Sequence, residues 1–202
     1  MRTTNHKLQT CLPDRQATNS IVETHPFKPY IPKGIKYLMI GSFPGKGQTE
    51  KIISETDWFY GAKRNTFWKI MEAVYEKELK TTSAKQKLFT SLKMGIGDII
   101  LKAVRTENTN SDDNLHVIEY NNSAIKKTLS ANKIATVFFT SQFVYKIFKR
   151  FFPEVENTIV LPSPRYARMS VKEKVAVYRK VLPIIHEKGK ISNAKSTKKN
   201  AK

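Results

Sequence analysis

Short apolar segments alternate with segments of helical periodicity along this chain, and this alternation constrains its fold more than any other feature. Four apolar runs predict strands, at residues 35–40, 94–100, 134–139 and 158–161. Strands that alternate with helices pair in parallel, and the connecting helices cover both faces of the sheet. We therefore predict an α/β fold, a three-layer sandwich with a short, mostly parallel four-stranded central sheet.

Helices are predicted where apolar residues recur every three or four positions. One runs from about Asn65 to Leu79, a second surrounds Leu88 and Leu92, and a third covers residues 124–129. Two later helices have predicted caps. Ser141 caps a helix whose inward face is Val144, Ile147, Phe148 and Phe151. A Ser170–Glu173 capping box opens the last helix, which Pro183 ends and whose inward face is Val171, Val175, Tyr178 and Leu182.

The polar ends of the chain and its charge predict one folded body and a polyanionic partner. Residues 1–20 lack apolar periodicity and residues 187–202 are Lys-rich, so we predict two disordered tails around a single domain at residues 21–186. Lys and Arg number 36 against 17 Asp and Glu, a formal net charge of +19. A field of this size favours nucleic acid, and no basic amphipathic helix indicates a membrane surface.

Cysteine and histidine content limits the cofactors that the chain can hold. Cys11 is the one cysteine, which excludes an intrachain disulfide and a cysteine-ligated cluster within one chain, and which favours a reducing compartment. The four histidines are scattered and form no ligand-spaced pair. No apolar run has the length of a signal peptide core or a membrane span. We expect a soluble, cytoplasmic monomer that uses no metal or other cofactor.

The carboxyl ends of the predicted strands are the places to search for a site, because ligands of parallel sheets bind beyond them. After the first strand comes Gly-Ser-Phe-Pro-Gly-Lys-Gly, residues 41–47. A phosphate-binding loop needs four residues between its first Gly and Gly-Lys, followed by Ser or Thr, whereas here three intervene and Gly47 follows the lysine. The segment is therefore either another kind of site loop or a turn that closes a buried strand.

Two further loops carry unusual side chains. Residues 57–68 contain five aromatic residues together with Lys63, Arg64 and Asn65. Aromatic faces stack on bases and cations neutralise phosphate, although Asn65 would also serve as a helix cap. Residues 161–168 read Leu-Pro-Ser-Pro-Arg-Tyr-Ala-Arg, which is either a phosphate-contacting loop or a proline-stiffened connection.

Four motifs, taken in order, resemble one family. Gly-Ser-Phe-Pro-Gly at 41–45, Arg-Asn-Thr-Phe-Trp at 64–68, Gly-Ile-Gly-Asp at 95–98 and Leu-Pro-Ser-Pro at 161–164 follow one another as in the uracil-DNA glycosylase superfamily. The chain is most similar to the hypoxanthine (deoxyinosine) DNA glycosylase branch, over residues 25–186. The resemblance implies hydrolysis of the N-glycosidic bond of a deaminated base that is flipped out of damaged duplex DNA, in base excision repair.

The resemblance also implies catalytic residues, with one departure. The third position of the first motif usually holds the Asp or Asn that positions the attacking water, and this chain has Phe43 there. The hypoxanthine branch shares that loss, and its implied substitute is the Asn of the second motif, here Asn65. Asp98 is the other candidate to activate the water, with an acidic cap of the following loop as the alternative.

The remaining implied contacts fall into two groups. On the DNA side, Ser163 would contact phosphate, and either Arg165 or Tyr166 would fill the space that the flipped nucleotide leaves in the base stack. Ser141 would contact the base, or would only cap its helix. Base-side contacts are expected from Gly41, Ser42, Phe43, Pro44, Gly45, Tyr60 and Ser141, and DNA contacts from Lys63, Arg64, Ser163, Pro164, Arg165, Tyr166 and Arg168.

Two alternatives remain open at this point. Uracil rather than hypoxanthine is one candidate for the principal substrate. A non-catalytic nucleic-acid-binding α/β module is the other alternative, because the net charge is +19 and the first motif lacks its usual acid or amide.

Overall fold

The computed structural model describes residues 21–50, 57–107 and 109–185, and the two predicted tails lie outside these described residues. The strands are β1 (Val22–Thr24), β2 (Tyr37–Gly41), β3 (Met94–Asp98), β4 (Ile100–Arg105), β5 (Leu115–Tyr120), β6 (Thr136–Phe139) and β7 (Thr158–Val160). The helices are α1 (Lys46–Thr49), α2 (Phe67–Tyr75), α3 (Thr82–Ser91), α4 (Asn122–Ala131), α5 (Gln142–Phe151) and α6 (Val171–Val181).

The central sheet has four strands in the order β3-β2-β6-β7, and all of its pairings are parallel. Helices cover both of its faces. On one face Met39 packs with Phe89 of α3 and Tyr178 of α6. On the other face Ile40, the next residue of β2, packs with Phe148 of α5. Successive residues of a strand point to opposite sides, so a strand covered on both faces is apolar throughout. The predicted three-layer α/β sandwich is confirmed.

The structure contains a second sheet that the sequence did not predict. It contains β1, β4 and β5 in the order β1-β4-β5, and its pairings are antiparallel. The strand predicted at 94–100 spans two strands, because β3 ends at Asp98 and β4 begins at Ile100. In β5 none of the residues is fully buried, so no apolar run marks it in the sequence. The hairpin formed by β4 and β5 brings Asn110 and Asp112 to the loop that follows β2, at the carboxyl edge of the central sheet.

Most predicted helix signals have their expected roles. The Ser141 hydroxyl accepts from Val144 N at 3.3 Å, and the Ser170–Glu173 capping box is present. However, α2 ends at Tyr75 rather than near Leu79, because Glu76 adopts a left-handed conformation with φ of 53°. Val171 was predicted to point inward and is 36% exposed, because it is the first residue of its helix. None of the described helices has the length and apolar composition needed to cross a membrane.

Candidate active site

The carboxyl ends of the four parallel strands meet at one pocket. The pocket is narrow, with a cavity volume of about 50 Å³. Loops after β2, β3, β6 and β7 contribute to it, together with the loop before α2 and the β4–β5 hairpin. The lining residues are Phe27, Ser42, Phe43, Pro44, Gly45, Gln48, Phe59, Tyr60, Ala62, Asn65, Asp98, Asp112, Thr140, Ser141, Ser163, Pro164 and Arg165.

The structure thus brings together most of the sequence-predicted site residues. Both predicted catalytic residues, Asn65 and Asp98, line the pocket, and so do the predicted base-side residues other than Gly41. The predicted DNA-contacting residues divide into two sets. Ser163, Pro164 and Arg165 line the pocket, whereas Lys63, Arg64, Tyr166 and Arg168 are exposed and lie outside its lining.

Asp98 is a buried carboxylate at the end of β3, with 6% of its surface exposed. Its Oδ2 lies 2.9 Å from Nε2 of His25, and its Oδ1 is buried with no hydrogen-bond partner among the described residues. The backbone N–H of Phe27 donates to Nδ1 of His25 at 3.1 Å, so Nδ1 carries a lone pair. The proton of the imidazole is therefore on Nε2, from which it is donated to Asp98. This arrangement fixes one carboxylate oxygen and leaves the other for a ligand.

Gly41 lies directly beneath the pocket, where there is no space for a side chain. A Cβ on Gly41 would lie 2.2 Å from the Tyr60 hydroxyl oxygen and 2.3 Å from Oδ1 of Asp98. Contacts this short do not occur in well-packed proteins. The predicted contact of Gly41 with the base stays a prediction, since Gly41 does not line the pocket; its missing side chain allows Tyr60 and Asp98 to approach each other over the end of β2.

Tyr60 forms part of the pocket wall and is held from two sides. One face of its ring stacks on Phe67 at a centroid distance of 4.1 Å, and its hydroxyl donates to Thr140 Oγ1 at 3.2 Å. Its backbone has a φ of 60°, an unfavourable region for an aromatic residue. Burial, and then the charge of Asp98, raise the pKa of Tyr60 well above its ordinary value. The phenol therefore stays protonated at neutral pH and acts as a hydrogen-bond donor.

The prediction that Asn65 caps α2 is wrong, because the N-cap is Thr66 and one position before it lies Asn65. Its Oδ1 accepts a hydrogen bond at 2.9 Å from the backbone N–H of Phe67, the first residue of α2. The side chain also lines the pocket. Because the oxygen already accepts from the helix, the amide nitrogen of Asn65 is the atom suited to contact a ligand. That nitrogen is a donor only.

The β4–β5 hairpin supplies a pocket residue that the sequence did not single out. Asp112 follows β4 and its Oδ1 accepts from the Ser42 hydroxyl at 2.9 Å. Burial raises the pKa of Asp112, while the bond from Ser42 and the charge of Arg165 oppose that rise. Asn110 of the same hairpin accepts from Lys46 N at 2.7 Å. The guanidinium of Arg165 in turn donates to the backbone oxygen of Asn110, so this hairpin joins the first loop to the last.

Arg105 of β4 holds the loop that follows β2 in place. Its side chain is 6% exposed and its Nε donates to the Glu23 carboxylate at 2.9 Å. Its Nη2 donates to the backbone oxygen of Pro44 at 2.6 Å, and its guanidinium carbon lies 5.6 Å from the centre of the Phe43 ring. Phe43 also meets the His25 ring edge to face at 5.9 Å. Phe43 is therefore a fixed apolar part of the wall.

The last loop is held by the side chains of α6. Tyr178 donates to the backbone oxygen of Pro162 at 2.9 Å. Lys174, which is 2% exposed, donates to the backbone oxygens of Pro164 and Tyr166 at 3.1 and 2.7 Å. Its burial lowers the pKa of this lysine. The proline-stiffened loop is thus also anchored by a buried cation, and its position relative to the pocket is set before any ligand arrives.

The residues missed by sequence reasoning share one property. His25, Gln48 and Asp112 take their roles from partners beyond their own local segment: Asp98 lies 73 positions from His25, Ser42 lies 70 from Asp112, and Trp58 lies 10 from Gln48. No local pattern around them signals a site. Among the described residues, no group of three or more His, Cys, Asp or Glu side chains is arranged to hold a metal ion.

Comparisons with known proteins bear on the fold. No protein-family model and no curated protein matches the chain. A solution NMR structure from Methanosarcina acetivorans, described as a "putative Uracil DNA glycosylase", is similar at a TM-score of 0.54 and 20% sequence identity, over 79% of this chain and 98% of that one. At this identity the likeness is one of fold, and the chain shares its α/β sandwich with that protein.

Proposed function

We propose that this chain is a DNA glycosylase of the uracil-DNA glycosylase superfamily, which hydrolyses the N-glycosidic bond of hypoxanthine or uracil flipped out of damaged duplex DNA. The observation that carries the proposal is Oδ1 of Asp98, a buried carboxylate oxygen that has no hydrogen-bond partner in the described part of the chain, at the edge where parallel sheets bind ligands. The four motifs and the fold likeness support it. In this proposal the enzyme is a monofunctional, cytoplasmic monomer in base excision repair.

Asp98 and Asn65 take complementary parts in the proposed hydrolysis. Oδ1 of Asp98 accepts a hydrogen bond from a water molecule and takes up its proton as the water attacks the sugar, while Nε2–H of His25 keeps Oδ2 occupied. Asn65 donates through its amide nitrogen, since its oxygen is bound to α2. A donor at this position stabilises negative charge on the departing base. Phe43 replaces the usual acid or amide of the first motif and shapes the wall.

The DNA contacts in the proposal surround the pocket. Lys63, Arg64, Arg165 and Arg168 are exposed and would neutralise backbone phosphates, and Ser163 would add a hydroxyl contact. Tyr166 is 50% exposed on the anchored last loop and is suited to fill the gap left by a flipped nucleotide. Unstacking a base costs roughly a few kcal/mol, which such an insertion would offset in part.

The direct test uses duplexes that carry a single uracil or hypoxanthine, followed by alkaline cleavage of abasic sites. We expect strand scission with the wild-type chain, and loss of scission with Asp98→Asn and Asn65→Ala while affinity for DNA is retained. The other candidate, a non-catalytic nucleic-acid-binding module, is favoured by Phe43 and by the net charge of +19. Tight DNA binding without release of any deaminated base would support that module and refute the glycosylase.

A further inference from the structure

Two buried side-chain oxygens lack a hydrogen-bond partner among the described residues, and both belong to residues that line the pocket. They are Oδ1 of Asp98 and Oε1 of Gln48. Buried acceptors are almost always satisfied in native proteins, so a pair of exceptions in one pocket indicates a ligand with hydrogen-bond donors. The proposed hydrolysis uses Asp98 for water and leaves Gln48, which is 8% exposed, without a role.

The orientation of the Gln48 amide is determined by its surroundings. Its Nε2 donates to the backbone oxygen of Trp58 at 3.0 Å. The flipped amide would place two oxygens against each other, so the nitrogen must face Trp58. Gly61 packs against that nitrogen closely, since a Cβ there would lie 3.0 Å from it. Oε1 is therefore held as a pure acceptor in a fixed position.

We infer that Gln48 determines base specificity by accepting the ring N–H of a lactam base, N1–H of hypoxanthine or N3–H of uracil. The inference rests on the proposed function. In adenine and cytosine the corresponding ring nitrogen carries a lone pair, which would face the lone pairs of Oε1. A site built around a buried hydrogen-bonding group rejects ligands that leave that group unpaired. Gln48 thereby separates each deaminated base from the amino base that produces it.

Guanine and thymine also carry a ring N–H, so Gln48 does not exclude them. Their exclusion rests on the cost of flipping a correctly paired base, which is lower for a mispaired deamination product. Gln48 therefore distinguishes only an amino base, adenine or cytosine, from the lactam base that its deamination produces. The exposed cations take no part in this choice of base, because phosphates are the same in DNA of any sequence.

The test compares release of hypoxanthine and of 1-deazahypoxanthine, in which C–H replaces the ring N–H, from otherwise identical duplexes. We expect Gln48→Met to lower kcat/KM for hypoxanthine by about 10- to 100-fold, the usual effect of one lost hydrogen bond at a buried group. Release of the deaza base should change less than threefold, so the preference of the wild-type chain for hypoxanthine should collapse. Gln86→Met, the same change on α3 outside the pocket lining, should preserve that preference.

Two measurements separate a specificity role from a structural one. Affinity for a duplex with a tetrahydrofuran abasic analogue should be unchanged in Gln48→Met, because that duplex presents no base. Gln48→Glu keeps an acceptor and should retain the preference for hypoxanthine even if its stability falls. An equal loss of both bases in Gln48→Met, with hypoxanthine still released by the wild-type chain, would overturn the inference and leave the proposed function intact. No release of any base by the wild-type chain would overturn both.

Discussion

The interior of the pocket and its rim are built in different ways. In the interior, Gln48 and Asp98 line the pocket and His25 lies behind Asp98; all three are at least nine-tenths buried, and each is held by a hydrogen bond to a different segment of the chain. We call the rim the exposed loop residues next to this lining in the chain, such as Lys63 beside Ala62 and Arg168 three positions after Arg165. Buried polar groups in a low-dielectric environment interact strongly and need little rearrangement when a ligand arrives, whereas exposed charges act at longer range and are screened by salt.

This difference indicates a separation of tasks. Substitutions in the interior should change the rate of reaction or the choice of base, and should leave the affinity for undamaged DNA nearly constant. Substitutions on the rim should change affinity and its salt dependence, and should leave the rate at saturating DNA nearly constant.

The largest effect is expected from Asp98→Asn. The amide keeps an oxygen for the bond from His25 but no longer takes up a proton from water, so single-turnover base release should slow by about 10²- to 10⁴-fold. Affinity for a duplex with an abasic analogue should stay within twofold. Glu154→Gln, the equivalent change at an exposed carboxylate outside the pocket lining, should have no effect on either quantity. Release within threefold of wild type in Asp98→Asn would assign the water to another residue.

A smaller but still clear effect is expected from Gly41→Ala. Its Cβ would lie 2.2 and 2.3 Å from atoms of Tyr60 and Asp98, so the free energy of unfolding should fall by about 1–3 kcal/mol. Gly47→Ala is the matched control, because a Cβ there meets nothing within 4 Å and its φ is not positive. Thermal unfolding should show a lower Tm for Gly41→Ala and an unchanged or higher Tm for Gly47→Ala. Equal stability of the two variants would contradict the close packing beneath the pocket.

The central sheet was predictable from the sequence because its signal is local. Strands such as β2 and β6 are buried on both faces and read as continuous apolar runs, and the parallel pairing places their ends at one edge. The positions of the loops that directly follow these strands can therefore be predicted from where the strands end. Ser42 and Ser163 follow β2 and β7 in this way, and both line the pocket.

The rest of the site depends on contacts between distant segments, which local patterns do not encode. The β4–β5 hairpin has only half-buried or exposed residues in β5, so its contribution of Asp112 was missed. Gln48 looks like an ordinary polar residue until Trp58 fixes its amide. The end of α2 was also missed, because the left-handed conformation of Glu76 occurs within an otherwise helical pattern.

On the rim, Lys63→Ala and Arg168→Ala are expected to have moderate effects that depend on salt. Each lost phosphate contact should reduce the slope of log affinity against log salt by roughly 0.9, and should weaken binding several-fold near physiological salt. The reaction rate at saturating DNA should be unchanged. Lys36→Ala removes the same charge just before β2, at the opposite edge of the sheet, and should leave the slope unaltered. A rim variant that slows the reaction at saturating DNA would break the separation between rim and interior.

The smallest effect is expected from Asp112→Asn, at the border between the two regions. Burial raises the pKa of Asp112 in the folded chain above its unfolded value. The folded chain therefore binds this proton more tightly, so stability falls as the pH rises from the unfolded pKa through the folded one. The substitution removes this penalty and keeps an oxygen for Ser42, so Tm should rise at pH 7, by no more than about 2–4 °C, and should change little near pH 3. Asp113→Asn, at the exposed neighbour, should show no such dependence. An equal shift of Tm at both pH values would mean that the carboxylate of Asp112 is solvated like that of Asp113, and that Asp112 belongs to the rim rather than to the interior of the pocket.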